Sequence, residues 1–486
     1  MSRAPYDAVI IGSGQSGNPL AKAFADTGRK TALIEKADIG GTCVNWGCTP
    51  TKTMIASGRA AYLARRGANY GVNAGKNVNS DVLVDMERVR ERKRDIVASF
   101  SGGNESRLLE AGVDVLKGEA RFTGPKSLTV RMNDGGDKEV TSDLIFINVG
   151  ERPSRPDLSG IDSIPPERVL DSTTIMELGS VPEHLIVLGG GYIGLEFGQL
   201  FRRFGSKITI IQRAERLIPR EDPDVSKCML DILEEDGTCV YLSSQPNSIS
   251  RTKNEALPVS LSIKFTDGRT KTIEGSHLLL AAGRTPNTDT LNLTAAGVTT
   301  SPRGHVLVHD DLSTHVPGIF AIGDAKGGPA FTHISYDDFR IIRSNHIPSA
   351  MSPTARRLST TKVSSSRRLT PYVIYTDPQV GHVGIHASDA TTAPYQNRKV
   401  KTASMPAEYV ARGLETDETR GMLKATVDAD TGEILGFTAV CTEGGELMAV
   451  VQTAMMGGLK YWDLQEAVWA HPSWAESLNN LWASLE

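Results

Sequence analysis

Residues 40–52 read GGTCVNWGCTPTK and place Cys43 and Cys48 five positions apart. In a straight α-helix two such residues have their Cα atoms about 8 to 9 Å apart, because the helix rises about 1.5 Å per residue. A disulfide needs Cα atoms less than roughly 7 Å apart, so the segment is predicted to form a distorted turn, with conformational freedom at the glycine before Cys48. We expect Thr49 to cap the following helix and Pro50 to begin it, which puts Cys48 where the helix dipole favours a thiolate.

Glycine-rich turns mark two further segments. Residues 6–35 are predicted to form a strand, the turn GSGQSG at 12–17, a helix over 21–27 and a second strand, which is the βαβ unit of dinucleotide-binding folds. The same order recurs over residues 185–212, with the turn GGGYIG at 189–194. Two units of this type imply two bound dinucleotides, and a dithiol beside them implies redox chemistry between a cofactor and a disulfide.

The residue that ends each unit distinguishes the nucleotides. Glu35 lies 18 residues after the last glycine of the first turn, where a carboxylate accepts hydrogen bonds from the ribose diol of FAD or NAD. The equivalent position of the second unit is Gln212, and the next residue is Arg213, whose guanidinium can pair with a ribose 2′-phosphate. NADPH is therefore favoured at the second site. NADH stays open, because Arg213 can be an exposed arginine without this role and Glu215 lies close by.

The composition is that of an ordinary multidomain protein. The chain has 486 residues, of which 39% are hydrophobic and 23% charged, and this length predicts roughly two to four domains. The net charge of −4 argues against nucleic acid as a partner, and no apolar run reaches the ~18 residues that would predict a membrane span. The first predicted strand leaves no room for a signal or transit peptide before it, so we expect a cytoplasmic protein.

Five cysteines in a chain of this length do not make a disulfide scaffold, and in a reducing cytosol a close pair is expected to be catalytic. The other three, Cys228, Cys239 and Cys441, lie in no local motif and are expected to be small buried residues. No metal site is predicted.

These motifs resemble the flavoprotein disulfide reductases, which include dihydrolipoamide dehydrogenase, glutathione reductase and the mercuric reductases. Besides the dithiol segment, the resemblance is carried by THVPGIFAIGD at 314–324, YTDPQVGHVG at 375–384 and HPSWAE at 471–476. It covers nearly the whole chain. The resemblance implies an α/β fold with two Rossmann-like dinucleotide-binding domains and a C-terminal α+β dimerisation domain, in a homodimer.

The domain boundaries follow from this resemblance and from composition. We expect a first part of the FAD-binding domain over 1–155, an NAD(P)H-binding domain over 156–283, a second FAD-binding part with a linker over 284–365, and a dimerisation domain over 366–486. Residues 344–368 are rich in Ser, Thr, Pro and Arg and are predicted to form a solvated linker.

The resemblance also implies an ordered mechanism. NADPH would pass a hydride to FAD, and FAD would pass electrons to a Cys43–Cys48 disulfide. Cys48 would be the thiolate nearest the flavin, and Cys43 would attack the substrate. His471 of the other subunit would act as acid and base, oriented by Glu476.

Further residues are assigned around the cofactors by the same resemblance. Lys52 and Glu196 would pair beside the flavin and tune it, Asp324 would hold the ribityl chain, and Tyr192 would gate the nicotinamide pocket. The predicted cofactor-binding positions are Gly12, Gly14, Gly17, Glu35, Lys52, Gly150, Gly323, Asp324, Gly189, Gly191, Gly194, Tyr192, Arg213 and Gly283.

The electron acceptor is open at this point. The favoured hypothesis is NADPH-dependent reduction of a small disulfide. The alternatives are reduction of metal ions, quinones or oxidants, similar to the mercuric reductases and reactive-chlorine resistance flavoproteins, a dihydrolipoamide dehydrogenase, and a largely structural subunit of a multienzyme complex. The presence of His471 favours disulfide exchange. Mercuric reductases carry a pair of cysteines at the C-terminus, but this chain has no cysteine after Cys441, which argues against Hg(II) reduction. The Gln212–Arg213 pair argues against a dihydrolipoamide dehydrogenase, because those enzymes usually prefer NAD.

Overall fold

The structure is a computed structural model that describes residues 6–72, 82–347 and 363–485. The chain divides into two compact units, each assembled from three segments. The first unit comprises Met1–Thr53, Arg88–Ser154 and Gly283–Arg368, and the second comprises Met54–Glu87, Arg155–Ala282 and Leu369–Glu486. Two of the boundaries between the units follow Ser154 and precede Gly283.

The first unit is built on a seven-stranded sheet. Its first five strands are parallel and the last two continue as an antiparallel meander. In spatial order the strands are Ile319–Ala321, Ile145–Ile147, Ala8–Ile11, Thr31–Glu35, Asp114–Gly124, Ser127–Met132 and Asp137–Thr141. Every residue of Ala8–Ile11 is buried, as expected for a parallel strand that is covered on both faces.

Within the described ranges of the chain, a small antiparallel ribbon and five helices accompany this sheet. The ribbon pairs Glu151–Pro153 with Arg284–Pro286. The helices are Gly17–Ala25, Gly41–Asn45, Cys48–Arg66, Met86–Glu110 and Thr332–His346, of which the third and fourth run across the boundary between the two units.

The second unit contains a parallel sheet and two antiparallel ones. The parallel sheet has the order Cys239–Tyr241, Lys207–Ile211, His184–Leu188, His277–Leu280 and Val169–Leu170. A three-stranded sheet is formed by Ser244–Arg251, Val259–Phe265 and Thr270–Gly275. The third sheet has the order Tyr372–Ile374, Gln379–Gly384, Ile434–Cys441, Met422–Asp428 and Val400–Pro406.

In the part of the second unit that the structure describes, six helices lie wholly inside the unit: Tyr192–Phe204, Pro223–Glu235, Ala411–Glu415, Gly444–Gly457, Tyr461–Gln465 and Ser477–Asn480. The predicted fold class is confirmed, with two parallel nucleotide-type sheets and a C-terminal α+β part. Among the described residues, no helix is long and apolar enough to cross a membrane.

Three local expectations are wrong. The first helix begins at Gly17 instead of residue 21, because the Asn18 and Leu20 amides already bond the carbonyls four residues earlier. Cys239 is exposed and Cys228 is half-buried. Cys239 opens the edge strand of its sheet, and an edge strand leaves side chains accessible.

The linker expectation also needs correction at both ends. Residues 348–362 lie outside the described part of the chain, but Ile347 and Val363 on either side are buried. Arg368 donates to Asp337 at 2.7 Å and also bonds Asp338, which is fully buried. The ends of the segment are therefore packed and ion-paired.

A buried network of ion pairs holds the second unit together. Asp377 accepts from Arg59 at 2.6 Å and from Arg203, whose side chain is only 7% exposed. Arg59 also donates to Glu418 at 2.6 Å, and the Arg203 guanidinium lies 4.0 Å from the centre of the Tyr62 ring. Burial alone would raise the pKa of Asp377, but the charges of Arg203 and Arg59 outweigh burial and lower it.

We predict that Asp377→Asn destabilises the protein by about 3 kcal/mol, because it leaves two partly desolvated guanidinium groups without their shared carboxylate. Since the pKa of Asp377 is lowered, the wild-type contribution is present above about pH 4 and is lost as the pH falls through that lowered value. Urea unfolding at pH 7 measures the effect. Asp26→Asn, which breaks an exposed pair with Lys22, is the control and should cost less than about 1 kcal/mol. Equal losses in both variants would contradict the prediction.

Candidate functional site

The two sulfurs of the dithiol lie against one hydroxyl group. Cys43 is in the helix Gly41–Asn45, and Cys48 is the first residue of the next helix. Thr332, at the start of the helix Thr332–His346, donates its hydroxyl to Cys43 Sγ at 3.0 Å and lies 3.5 Å from Cys48 Sγ. The distorted turn between the cysteines is therefore confirmed.

The turn depends on a close approach of the backbone. A Cβ atom at Gly47 would lie 2.8 Å from the carbonyl oxygen of Thr42, so a larger residue would force the two short helices apart. The helix begins at Cys48, two residues before the predicted start at Pro50, and the Thr51 amide bonds the Gly47 carbonyl at 3.1 Å. The expectation that Thr49 caps it is wrong for the same reason.

The electrostatics of the two thiols differ. The pKa of Cys43 is raised, first by a hydrogen bond to Cys48 and then by burial, while Thr332 and the charge of Lys52 lower it. Cys43 is half-buried and Cys48 is exposed. This asymmetry favours ionisation of Cys48 before Cys43.

The first glycine turn is closed by its own backbone and by Glu35. A Cβ atom at Gly17 would lie 2.1 Å from the carbonyl oxygen of Gly12, so the turn cannot close around a larger residue. Glu35 accepts from the amide of Ser13 at 2.9 Å and from its hydroxyl at 2.7 Å. The carboxylate thus lies at the turn, at the end of the second strand, where the sequence places it.

The second turn repeats this geometry without the negative charge. A Cβ atom at Gly194 would lie 1.9 Å from the carbonyl oxygen of Gly189. Gln212 accepts from the Gly190 amide at 3.1 Å, which is the bond that Glu35 accepts from Ser13 in the first unit. The change from Glu to Gln therefore keeps the turn closed and removes a charge that would repel a 2′-phosphate.

The second turn leaves space for a nucleotide. An added Cβ at Gly191 meets nothing within 4 Å, and the helix Tyr192–Phe204 begins directly after it, so space lies open at a helix N-terminus that favours phosphate. Arg213 and Tyr192 are exposed at this end of the sheet.

Asp324 is the charged group that the first unit brings near the dithiol. Burial raises the pKa of Asp324 to about 6, the charge of Arg284 opposes this, and the charge of Cys48 adds to it. Arg284 and His305 both contact Glu151, at 3.2 and 2.8 Å. Gly150 and Gly323, which directly precede Glu151 and Asp324, both have positive φ angles.

His471 and Glu476 form a dyad in the second unit. Nδ1 of the imidazole lies 2.9 and 3.0 Å from the two carboxylate oxygens, which fixes the proton on Nδ1 and leaves Nε2 as the acceptor. The histidine side chain is 65% exposed and the glutamate 31%. The Nε2 atom of His471 is therefore accessible to a group that lies outside the second unit.

A family model described as pyridine nucleotide-disulphide oxidoreductase matches residues 6–338, and one for the dimerisation domain of the same family matches residues 370–482. The chain belongs to this family. These flavoprotein disulfide reductases are FAD-dependent and use a pyridine nucleotide, so the chain is an FAD-dependent disulfide oxidoreductase with a dimerisation domain that supports a homodimer.

Individual flavoprotein disulfide reductases resemble the chain over nearly its whole length. It is 33% identical to the probable pyridine nucleotide-disulfide oxidoreductase RclA of Escherichia coli, over 98% of this chain and 99% of RclA. Mercuric reductase of Staphylococcus aureus is 32% identical, over 97% and 81% of the two chains, and dihydrolipoyl dehydrogenase of Bacillus subtilis is 31% identical, over 97% and 96%.

A solved structure shows the same fold. The Cu(II) complex of the HOCl-induced flavoprotein disulfide reductase RclA from Escherichia coli superposes with a TM-score of 0.84 at 33% identity, and 99% of each chain is covered.

The expected pairing of Lys52 with Glu196 beside the flavin stays a prediction. Lys52 belongs to the first unit and Glu196 to the second. Glu196 is buried and accepts from the Tyr375 amide at 2.9 Å. Lys52 lies close enough to Cys43 for its charge to act on the thiol. The roles of Lys52 and Glu196 beside the flavin are part of the proposal below, and those of Gly14 and Gly283 at the nucleotides stay predictions.

Sequence reasoning missed Thr332. A threonine at the start of a helix has no motif of its own, and 284 positions separate it from Cys48. The one available signal was its place next to His333 in the stretch FTHI at 331–334, which follows the segment that resembles the flavin-binding motif.

We predict that Thr332→Val slows alkylation of the reduced dithiol by iodoacetamide about tenfold at pH 7. The hydroxyl stabilises the thiolate, and a hydrogen bond to an ionised group contributes about 1.5–3 kcal/mol. The measurement is the pH dependence of the alkylation rate on NADPH-reduced enzyme. Thr332→Ser retains the hydroxyl and is the matched control. The role of Thr332 is refuted if Val and Ser variants react at the wild-type rate throughout the pH range.

Proposed function

We propose that this reductase uses NADPH to reduce a small disulfide substrate through Cys43 and Cys48, with His471 of the partner subunit as the acid and base. The observation that carries the proposal is the His471–Glu476 dyad. Its exposed imidazole has a fixed tautomer with Nε2 open, which a proton transfer during thiol–disulfide exchange requires. Electron transfer to a metal ion or a quinone makes no comparable demand.

The proposed reaction has two stages, reduction of the enzyme disulfide and exchange with the substrate disulfide. FAD, when bound, accepts a hydride from the nicotinamide and delivers two electrons to the enzyme disulfide. Glu35 binds the ribose and Asp324 the ribityl chain at the first turn and its neighbouring strand end. Lys52 holds positive charge near the dithiol and favours the thiolate of Cys43, and Glu196 supplies a counter-charge to Lys52.

The exchange stage balances in two steps. Cys43 gives its proton to His471 and attacks one sulfur of the substrate as the thiolate, the substrate S–S bond breaks, and the departing thiolate takes that proton back from His471. The Cys48 thiolate then attacks Cys43, forms the Cys43–Cys48 disulfide and releases the second substrate sulfur as a thiolate, which takes a proton from water. Two electrons and two protons therefore reach the substrate, one proton by way of His471 and one from water.

The preference for NADPH rests on the second turn. Gln212 keeps that turn closed without a carboxylate, and Arg213 beside it is exposed. A guanidinium at this position pairs with the 2′-phosphate in a bidentate contact. The proposal therefore assigns NADPH to the second unit.

We predict that Arg213→Ala raises the KM for NADPH about tenfold and leaves the KM for NADH within twofold, because a charge-assisted hydrogen bond contributes about 1.5–3 kcal/mol. Steady-state oxidation of each nucleotide measures the effect. Arg269→Ala, an exposed arginine on the three-stranded sheet, serves as control. An equal rise for both nucleotides would exclude recognition of the 2′-phosphate by Arg213.

Reduction of Cu(II) is a second candidate function. It is favoured by the similarity to RclA, whose solved structure is a Cu(II) complex and covers 99% of this chain. Thiolates are ligands that suit copper, and reduction of Cu(II) at the dithiol needs no proton donor for a leaving group.

We predict that His471→Ala lowers kcat with a disulfide substrate by about 10²- to 10⁴-fold, the usual contribution of a general acid or base, and changes Cu(II) reduction less than threefold. NADPH oxidation with glutathione disulfide, lipoamide and Cu(II), each compared with a Cys43→Ser control, measures both activities. His309→Ala, an exposed histidine elsewhere, is the matched control. Disulfide turnover that survives in His471→Ala would contradict the proposal, and Cys43-dependent turnover of Cu(II) alone would establish the second candidate.

A further inference from the structure

A second cluster of metal-type ligands lies in the second unit, away from the residues assigned above. Tyr372 is opposite His382 in the pairing of the strands Tyr372–Ile374 and Gln379–Gly384, and His386 follows two residues after the second strand. Glu221 comes from the connection before the helix Pro223–Glu235. Its side chain is 2% exposed and that of His386 is 13% exposed.

A chain of hydrogen bonds fixes which atoms of this cluster are acceptors. Tyr372 donates its only hydroxyl proton to Glu221 Oε1 and lies 3.2 Å from His386 Nε2. Because that proton is already used, the His386 Nε2–H must donate to the phenol oxygen. His386 Nδ1 is therefore left with a bare lone pair.

Two acceptors consequently face each other in a buried place. His386 Nδ1 and Glu221 Oε2 are 3.8 Å apart, and neither has a hydrogen-bond partner within the described ranges of the chain. Two desolvated lone pairs at this distance are unfavourable unless a positive charge lies between them. Lys424 does not provide it, because its ammonium group bonds Asp222 at 3.0 Å and Asp224 at 2.7 Å.

His382 adds a second nitrogen as the third possible ligand atom. Its Nε2 lies 3.2 Å from the Gly384 carbonyl oxygen, and donation of a ring N–H to a backbone carbonyl is the usual support of a metal-binding histidine, with Nδ1 left as acceptor. Nδ1 now receives the Thr438 hydroxyl at 2.8 Å. The rings of His382 and His386 are stacked with centroids 3.9 Å apart.

We propose that Glu221, His382 and His386 form a binding site for a divalent transition-metal ion such as Zn²⁺. One ligand atom from each residue lies within 4.8 Å of the other two. Tetrahedral zinc at about 2.0–2.1 Å from N and O ligands brings them to about 3.3 Å from one another, so distances between the ligand atoms need to shorten by up to about 1.5 Å around the ion. Two imidazoles and one carboxylate select zinc-type ions over Mg²⁺ or Ca²⁺, which prefer oxygen ligands.

The site has a structural consequence within the second unit. A bound ion ties the connection that holds Glu221 to the edge of the C-terminal sheet at His382. It also places positive charge between Glu221 Oε2 and His386 Nδ1, which face each other 3.8 Å apart.

Equilibrium dialysis against Zn²⁺ tests the proposal. The protein is the FAD-loaded Cys43→Ser/Cys48→Ser variant after chelator treatment, so that the dithiol cannot take the ion. We expect about one Zn²⁺ per chain by mass spectrometry of the metal. Glu221→Gln and His386→Ala should each weaken binding at least tenfold, whereas His309→Ala should bind like the parent.

The proposal is overturned if the parent binds no Zn²⁺. It is also overturned if the Glu221 and His386 variants bind Zn²⁺ as tightly as the parent does. X-ray absorption of the Zn²⁺-loaded parent decides the case in which these variants fail to fold. Two imidazoles with oxygen ligands and no sulfur support the site. Sulfur ligation by one of the remaining cysteines excludes it.

Discussion

The chemistry of this protein depends on a break in one helix. Had residues 40–52 continued as a regular helix, Cys43 and Cys48 would lie too far apart to exchange electrons as a disulfide. The break is possible because Gly47 lets its backbone approach the Thr42 carbonyl. It gives each cysteine its own helix and brings both sulfurs to the Thr332 hydroxyl. A single local constraint thus creates both the pairing of the thiols and the difference between them.

The two nucleotide turns show how far sequence patterns reach. The glycine spacing, the strands on either side and the position of Glu35 were all predictable, because each depends on neighbours within one βαβ unit. The sequence also showed that Gln212 replaces the carboxylate. It did not show that Gln212 accepts the same backbone hydrogen bond from the turn as Glu35 does. A change from Glu to Gln in the sequence shows that a charge is lost, but it does not show whether the hydrogen bond is kept.

What could not be predicted involves residues distant in sequence or the energetics of single turns. Thr332 contacts the dithiol, and Glu221 comes close to His382 and His386, only through the tertiary structure. The helix starts at Cys48 instead of Pro50 because of one hydrogen bond from the Thr51 amide. The exposure of Cys239 follows from the order of strands in a sheet, and composition carries no information on that order.

The chain also separates two kinds of metal ligand. The thiols are soft and are linked to electron flow, whereas Glu221 and the two histidines are harder ligands with no redox partner of their own. Divalent copper binds nitrogen and oxygen ligands more tightly than zinc does, so any Cu(II) presented to this protein would meet both sites. Only the ion at the thiols can be reduced by them. Reduction of Cu(II) at the thiols and retention of Cu(II) at the three other ligands would therefore be separate properties, and a measurement of one would not report the other.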